Sequence, residues 1–348
     1  MKTISTTGLD IAKEVFQVHC VAADQTMVVS RALKRRDVLA FFAQLPPHLI
    51  GLEACGTAHF WARELRKLGH TVKLLPPRDI KAYLRRGKTD AADAEAICEA
   101  VTRQRHKGVP VKSVEQQCEL LAHKLRESLL GQRTETMNRL RSHLAEFGLI
   151  APTGGAGIAQ LLRLVRDETD RRLPPGARLA LHALDRVLAG IEAEIAALDA
   201  QIRAAHKGNA TSRRLEAVPS VGPITAHAAA ATIADPHAFP SARDFAASLG
   251  LTPRLDGTGG KVTLGPITKK GDKYLRRLLY LGAVSQCAAA LRKPQKADPW
   301  LLRLLEEKPF KQAAIALANK TARIIWKLLV SGQAYVPGHR PAQQAARA

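Results

Sequence analysis

The sequence has 348 residues, enough for two or three domains of roughly 100–200 residues each. Lys and Arg number 53 against 31 Asp and Glu, so the formal net charge is +22. This charge favours a polyanionic partner, because each neutralised phosphate releases condensed counterions; a soluble protein that merely has a high pI is the alternative. Aromatic residues make up only 4% of the chain, so stacking of bases on aromatic rings is not the expected route to binding.

The five cysteines exclude a secreted, disulfide-built class of protein. They are odd in number, scattered, and never spaced as Cys-x-x-Cys, which also argues against a structural zinc site. The N-terminus has no basic-then-apolar signal region, and no stretch approaches the roughly 20 apolar residues of a transmembrane helix. We therefore expect a cytoplasmic protein with no membrane partner.

The first ~105 residues alternate strand and helix signals. Three consecutive strands are predicted at Ile4–Ile11, Val15–Ala22 and Met27–Leu33, all rich in β-branched residues. The elements predicted next are a helix at Arg36–Gln44, a strand at His48–Glu53, a helix at Ala58–Leu68, a strand at Thr71–Leu75 and helices beyond Pro77. This order predicts an α/β domain with a mixed sheet, in the ribonuclease-H-like arrangement.

From about Val114 to His206 the sequence is helical and heavily charged. Apolar residues alternate in steps of three and four along one segment: Leu181, Leu184, Leu188, Ile191, Ile195, Leu198 and Ile202. Such a heptad seam predicts a coiled coil or a long antiparallel helical hairpin. The pattern leaves open whether the seam packs on its own domain or on another chain.

The composition divides the chain into four segments. Residues 1–108 form the α/β domain, 109–210 the helical or coiled-coil region, and 211–335 a second compact domain that is mostly α-helical. Residues 336–348 are rich in Pro, Gln and Ala without an apolar period, so we predict a disordered tail.

Four carboxylates stand where a ribonuclease-H-like nuclease needs them. Asp10 and Glu53 lie near the ends of predicted strands, and Asp90 and Asp93 begin a helix. Helical residues three apart share a face, and a hard divalent cation such as Mg²⁺ would reverse the repulsion between these acids. Thr89 followed by Asp90 is also an ordinary helix N-terminus. The set of four, rather than any single acid, predicts a metal centre for phosphodiester cleavage.

A glycine-rich basic block follows in the second half of the chain, around Gly257–Lys261 and Gly265–Arg277. Glycines let a backbone approach a phosphate and flanking cations stabilise the charge there, although a solvated charged loop has a similar composition. The candidate nucleic-acid-binding residues are Lys88, Arg254, Lys261, Lys269, Lys270, Lys273 and Arg276.

These motifs resemble those of the insertion sequence 110 family of transposases, over roughly residues 4–335. The resemblance rests on Gly8-Leu-Asp-Ile-Ala-Lys13, the Leu-Glu-Ala-Cys-Gly block that contains Glu53, and Lys88-Thr-Asp-Ala-Ala-Asp-Ala94. In that family four acids form a DEDD metal site on a RuvC-like domain. The resemblance therefore implies that Asp10, Glu53, Asp90 and Asp93 are catalytic and bind Mg²⁺ or Mn²⁺.

The resemblance also implies a nucleophile. The family commonly has a serine three residues before a lysine, and in this chain the position before Lys261 is Thr258. Threonine carries the same hydroxyl, but its methyl group stiffens the side chain and crowds in-line attack. Ser220, Ser241 and Ser248 are alternative hydroxyls outside the matching block.

A transposase of this family is expected to cut and rejoin DNA through a covalent protein–DNA ester. The resemblance further implies a structured noncoding guide RNA, and a homodimer that pairs into a tetramer, with the heptad seam suited to the dimer contact and the active site completed between protomers. The localisation expected is cytoplasmic and nucleoid-associated. Two alternatives remain: a RuvC-like junction resolvase or nuclease that uses only the four acids, and a non-catalytic nucleic-acid-binding protein.

Overall fold

The chain divides into two compact units. The computed structural model describes residues 2–84, 89–104, 106, 108–258 and 261–337, apart from the side chains of Thr258, Lys261 and Val262. The first unit comprises residues 1–114 with 234–238, and the second comprises 115–233 with 239–348. The four-segment division expected from composition stays a prediction.

The first unit contains a five-stranded mixed sheet, as the sequence predicts. Its strands are β1 (Ile4–Asp10), β2 (Val15–Ala22), β3 (Met27–Lys34), β4 (Leu49–Glu53) and β5 (Thr71–Leu75). The spatial order is β3-β2-β1-β4-β5. Strands β1, β2 and β3 form an antiparallel meander, whereas β4 runs parallel to both β1 and β5.

Helices cover both faces of this sheet. They are α1 (Val38–Ala43), α2 (Ala58–Lys67), the single turn α3 (Pro77–Ile80) and α4 (Asp90–Thr102). Leu9 and Leu52 belong to the core that includes Trp61 of α2, while the glycines just before them face α4. Because neighbouring strand residues alternate between faces, α2 and α4 lie on opposite sides of the sheet.

The second unit is mostly helical. Its helices are α5 (Val114–Ala145), α6 (Gly155–Arg166), α7 (Pro175–Gly208), α8 (Ala210–Glu216), α9 (Pro223–Thr232), α10 (Ala242–Ser248), α11 (Lys273–Arg292), α12 (Pro299–Glu307) and α13 (Phe310–Ser331). An antiparallel hairpin of β6 (Pro253–Thr258) and β7 (Lys261–Ile267) lies between α10 and α11. The glycine-rich, basic composition of this segment did not indicate the hairpin.

The heptad seam of α7 is covered within this one chain. Leu181, Leu188, Ile195 and Ile202 are buried, and the three seam residues between them are half-buried. Helix α7 packs against α6, α8 and α9. The seam is therefore buried within the single chain, and no coiled coil between chains is needed to bury it.

A buried polar network joins α5 to α7, α9 and α11. His123 of α5 lies 3.0 Å (Nδ1) from the hydroxyl of Tyr274 and 2.9 Å (Nε2) from Nδ1 of His227. One turn along α5, Arg126 donates a hydrogen bond to Asp199 of α7. Burial, with the neighbouring His227 and Arg126, lowers the pKa of His123 to about 4. His123 is therefore a neutral link between helices at neutral pH.

A buried arginine closes the corner between α6 and α7. Arg178 donates hydrogen bonds to the carbonyl oxygens of Leu164 (2.7 Å), Val165 (3.0 Å), Asp170 (2.5 Å) and Leu173 (3.3 Å). The first two carbonyls belong to the last turn of α6. Carbonyl groups in the last turn of a helix have no hydrogen-bond partner within that helix. The guanidinium of Arg178, at the start of α7, therefore supplies hydrogen bonds to the free carbonyl groups at the end of α6.

None of the helices in the described part of the chain has the length and apolar character needed to span a bilayer. Residues 336 and 337 end the described chain, so the prediction of a disordered tail falls, from residue 338 onward, outside the described residues.

Candidate functional site

The parallel pairing of β1 and β4 brings two of the predicted acids to one edge of the sheet. Leu9 lies opposite Leu52 in this pair. Asp10 and Glu53 are the next residues, and each ends its strand. Because parallel strands with the same register end together, the two acids leave the sheet side by side.

Two glycines allow α4 to approach this edge. Gly8 and Gly51 are partners across β1 and β4. A Cβ atom at Gly8 would lie 2.0 Å from the carbonyl oxygen of Ala94 and 2.4 Å from the amide nitrogen of Cys98. One at Gly51 would lie 2.8 Å from Cβ of Val101. The helix therefore rests on the backbone of two strands, which is an approach that only glycine permits.

The first turn of α4 carries the other two predicted acids. Thr89 is the N-cap, and its hydroxyl accepts a hydrogen bond of 3.2 Å from the amide of Ala92. Asp90 and Asp93 both lie in the first turn. Three residues apart, they share one face of the helix, and the positive end of the helix dipole favours their negative charge.

Three of the four acids converge. Asp10, Asp90 and Asp93 each offer a carboxylate oxygen, and these oxygens lie within 4.8 Å of one another. Glu53 is not one of these three acids, but its negative charge acts on Asp10. Burial, followed by the charges of Asp93, Asp90 and Glu53, raises the pKa of Asp10 to about 6. The three carboxylates thus concentrate negative charge at one place, and a bound cation would reduce the repulsion between them.

Cys55 lies close to the same acids, which the sequence analysis did not anticipate. Burial, with the charges of Glu53 and Asp10, raises the pKa of the Cys55 thiol. The thiol donates a hydrogen bond of 3.3 Å to the carbonyl oxygen of Gly56. Burial and the acids therefore both favour the neutral form of this thiol.

Thr258 lies at the tip of the hairpin in the second unit. It is the last residue of β6 and pairs with Lys261, the first residue of β7. Its side chain, like that of Lys261, lies outside the described part. The structure thus places the candidate nucleophile on a β-hairpin.

The base of this hairpin is a tight crossing of two segments. A Cβ atom at Gly271 would lie 1.7 Å from the carbonyl oxygen of Ser248, and one at Gly250 would lie 2.3 Å from that of Lys270. Both glycines have positive φ, +83° and +69°. The amide of Lys269 donates to the carbonyl of Gly250 at 3.2 Å. Glycine is required at both positions for the segments to touch.

Most of the predicted basic residues are exposed around the hairpin. Lys88 lies outside the described residues. The exposed ones are Arg254, Lys269, Lys270 and Lys273. Arg276 is half-buried and donates to the carbonyl oxygens of Leu249 (2.8 Å) and Lys270 (3.1 Å), so it also supports the crossing.

The three alternative serine hydroxyls have local partners. Ser220 lies 3.1 Å from the hydroxyl of Thr321. Ser241 caps α10, accepting from the amide of Asp244 and donating to its carboxylate. Ser248 donates to a carbonyl of the preceding helical turn at 2.7 Å. Each hydroxyl therefore has a structural role.

Each half of the chain matches the profile of a transposase family. Residues 7–148 match a DEDD transposase profile of the IS110 type, described as "Transposase". Residues 212–298 match the profile described as "Transposase IS116/IS110/IS902 family".

Similar whole proteins carry related names. The "Probable family 20 transposase" of Pseudomonas aeruginosa is 47% identical over 96% of this chain and 99% of its own length. The "Transposase for insertion sequence element IS1111A" of Coxiella burnetii is 34% identical over 96% of this chain and 92% of its own. The corresponding protein of element IS1328 from Yersinia enterocolitica is 33% identical over 96% and 99%.

The mixed sheet and the converging acids of the first unit belong to a DEDD transposase domain of the RuvC-like class. The chain belongs to the IS116/IS110/IS902 family of insertion-sequence transposases. Transposases of this family act on DNA, and membership of the DEDD class implies that the activity depends on a divalent metal.

Proposed function

We propose that this transposase cleaves and rejoins DNA with Asp10, Glu53, Asp90 and Asp93 as the metal-binding acids and Thr258 as the nucleophile. The observation that carries the proposal is the convergence of three carboxylate oxygens within 4.8 Å. Asp10 lies 80 and 83 residues before Asp90 and Asp93 in the sequence, so these three acids have no structural need to meet at one sheet edge. Burial and the neighbouring acids together raise the pKa of Asp10, and a bound cation would offset the repulsion between the carboxylates.

The donor set fits a hard divalent cation. Its ligands are carboxylate oxygens, which Mg²⁺ and Mn²⁺ accept readily, and a soft metal would favour sulfur or imidazole instead. Asp10, Asp90 and Asp93 would hold the ion, with Glu53 completing the charge at the edge of the sheet. When bound, such an ion polarises a phosphodiester and stabilises negative charge on the departing oxygen.

The chain's own part in the reaction is a transesterification. The hydroxyl oxygen of Thr258 attacks the scissile phosphorus, the bond from phosphorus to one sugar oxygen breaks, and a threonine–phosphate ester forms. The proton lost by Thr258 is balanced by the one that the leaving sugar oxygen gains. Attack by a sugar hydroxyl of the exchanged strand reverses these steps and frees Thr258, so no nucleotide cofactor is consumed.

The partners in this proposal are donor and target DNA and a structured noncoding guide RNA. The net charge of +22 supports a large nucleic-acid surface, and the guide itself follows from the family resemblance. A homodimer that assembles into a tetramer, located in the cytoplasm at the nucleoid, completes the proposal. Sequencing of the RNA that co-purifies with the protein tests this part of the proposal. One enriched noncoding RNA is the expected result, whereas a random sample of cellular RNA would contradict the guide.

Four variants test the chemistry on labelled DNA from the ends of the element, with Mg²⁺ present. Asp93→Asn is expected to abolish cleavage, whereas Glu99→Gln, an exposed acid on the same helix, is expected to keep it. Thr258→Ala is expected to abolish the covalent protein–DNA adduct seen in denaturing gels. Thr258→Ser keeps the hydroxyl and removes the crowding methyl, so the adduct should persist or increase.

The outcomes separate the alternatives. If Thr258→Ala still cuts DNA and no adduct forms in the wild type, the protein is a metal-dependent nuclease or junction resolvase. If the wild type binds DNA but never cuts it with any divalent metal, the protein is a non-catalytic nucleic-acid-binding protein. Either result overturns the proposed function.

A further inference from the structure

The hairpin of β6 and β7 has an exposed apolar face. Leu255 and Leu264 are direct cross-strand partners, so their side chains lie on the same face. They are 69% and 71% exposed. Asp256 and Thr263 pair at the next position and lie on the other face. The hairpin thus has one leucine face and one polar face.

This arrangement is costly unless a partner covers the leucines. An isolated two-stranded hairpin is only marginally stable in water, and it usually needs an apolar face packed on another surface. Among the described residues, neither leucine belongs to a hydrophobic core of the second unit. The tight crossing at Gly250 and Gly271 fixes the base of the hairpin and leaves its leucine face exposed.

The charges around the leucines select the chemistry of the partner. Lys269, Lys270 and Lys273 follow β7, and Arg254 precedes Leu255 on the polar face, beside Asp256; all four cations are exposed. An apolar pair on a hairpin that also carries exposed cations matches a partner that is anionic outside and apolar inside. A nucleic acid has this arrangement, because its phosphates flank the faces of its bases.

We propose that Leu255 and Leu264 insert against the bases of the DNA strand that is being exchanged, while the flanking cations hold its phosphates. This inference rests on the proposed function, which brings that strand to the hairpin. Thr258 lies three residues beyond Leu255, about 10 Å along the strand. The leucines therefore unstack bases near the scissile phosphate and make the strand accessible to attack.

The test uses a duplex with a central unpaired bubble that contains 2-aminopurine, whose fluorescence rises on unstacking, and a fully paired duplex of the same sequence. Both are titrated in EDTA, so that no cleavage occurs. The wild type should prefer the bubble and raise its fluorescence. The double variant Leu255→Gln/Leu264→Gln should lose about tenfold or more of that preference, and the fluorescence rise. Leu179→Gln, at a leucine that is 75% exposed on α7, is the matched control and should change neither.

Salt dependence separates the leucines from the cations. Arg254→Ala should lower the slope of log affinity against log salt by about one while the fluorescence rise remains. The leucine variants should leave that slope unchanged. Because both leucines are exposed, the double variant should melt like the wild type; if it does not, the single variants Leu255→Thr and Leu264→Thr take its place.

Two outcomes overturn the inference: an unchanged fluorescence rise in the leucine variants, or a change of their oligomeric state in light scattering, which would make the leucine face a contact between protein copies. The covalent-adduct assay on the wild type reports the proposed function separately. An adduct without leucine-dependent unstacking defeats only this inference. Unstacking without an adduct defeats only the proposed nucleophile.

Discussion

Gly8 and Gly51 lie opposite each other across two parallel strands, and each is followed two residues later by an acid of the candidate metal centre. The tripeptides are Gly-Leu-Asp and Gly-Leu-Glu, so the register that pairs the glycines also pairs Asp10 with Glu53. Helix α4 rests on both glycines, which brings its first turn to the same edge. The strand register therefore sets where Asp10 and Glu53 lie, and the packing of α4 on the two glycines brings Asp90 and Asp93 to the same edge.

Gly8→Ala should damage both stability and metal binding. The added methyl group would meet the carbonyl oxygen of Ala94 at 2.0 Å, and because backbone cannot yield as a side chain does, α4 must move. We expect the free energy of unfolding to fall by about 1–3 kcal/mol or more, and Mn²⁺ affinity, measured by calorimetry, to fall with it. Gly56→Ala, where a Cβ meets nothing within 4 Å, is the control. Equal behaviour of the two variants would mean that the contact is unimportant.

Asp10 should make the metal-free protein less stable as the pH rises. The pKa of Asp10 is about 6 in the folded protein, against 3.8 for an ordinary aspartate side chain, so the folded state binds the proton more tightly. Its favourable contribution is complete below about pH 4 and is lost as the pH rises through about 6. Asp10→Asn should remove this dependence and raise the melting temperature in EDTA at about pH 7.5.

Added Mg²⁺ should have the opposite pH dependence. Metal binding requires ionised carboxylates, so the rise in melting temperature on adding Mg²⁺ should be larger at about pH 7.5 than at about pH 5. Asp10→Asn should lose most of that rise. A Mg²⁺ effect that persists in this variant would place the ion elsewhere.

Tyr274→Phe should loosen the attachment of α5. It removes the hydroxyl 3.0 Å from Nδ1 of His123 and leaves a buried ring nitrogen without its partner. The expected loss is about 1–3 kcal/mol in the free energy of unfolding, measured by urea titration. Tyr280→Phe on the same helix removes a hydroxyl without touching this network. A loss of the same size in both variants would show that the network does not matter.

Arg178→Met should destabilise the second unit more strongly. Four carbonyl oxygens lose their donor, two of them at the end of α6. We expect a loss of at least about 3 kcal/mol, and only partial recovery with Arg178→Lys, because an ammonium cannot reproduce the planar fork of five donors. Arg171→Met, at an exposed neighbouring position, serves as the control. Thermal melting followed by circular dichroism measures all three.

Local pattern predicted the first unit well. Val15–Ala22 and Thr71–Leu75 were predicted with the bounds that the structure has, because β-branched runs end abruptly at polar or proline residues. The helix predicted at Arg36–Gln44 instead opens with a 3-10 turn, Arg35–Asp37, before α1 begins at Val38. The four acids could be proposed as a set, but which of them converge depends on strand order and on the packing of α4, which local pattern does not give.

The second unit shows where the pattern fails. Gly259-Gly260 between two short apolar-polar alternations is a two-residue hairpin signal, but the glycines and lysines resembled a phosphate-binding loop. The heptad of α7 correctly indicated which face is buried. It could not indicate what buries that face, since helices of the same chain and of another chain satisfy the same spacing.

The contact between α4 and the sheet has an evolutionary consequence. At Gly8 the closest atoms of α4 are main-chain atoms, which stay in place when side chains change, whereas at Gly51 they belong to the side chains of Val101 and Ile97. Distant relatives should therefore keep glycine at positions 8 and 51, even where the residues packed around this domain have changed widely.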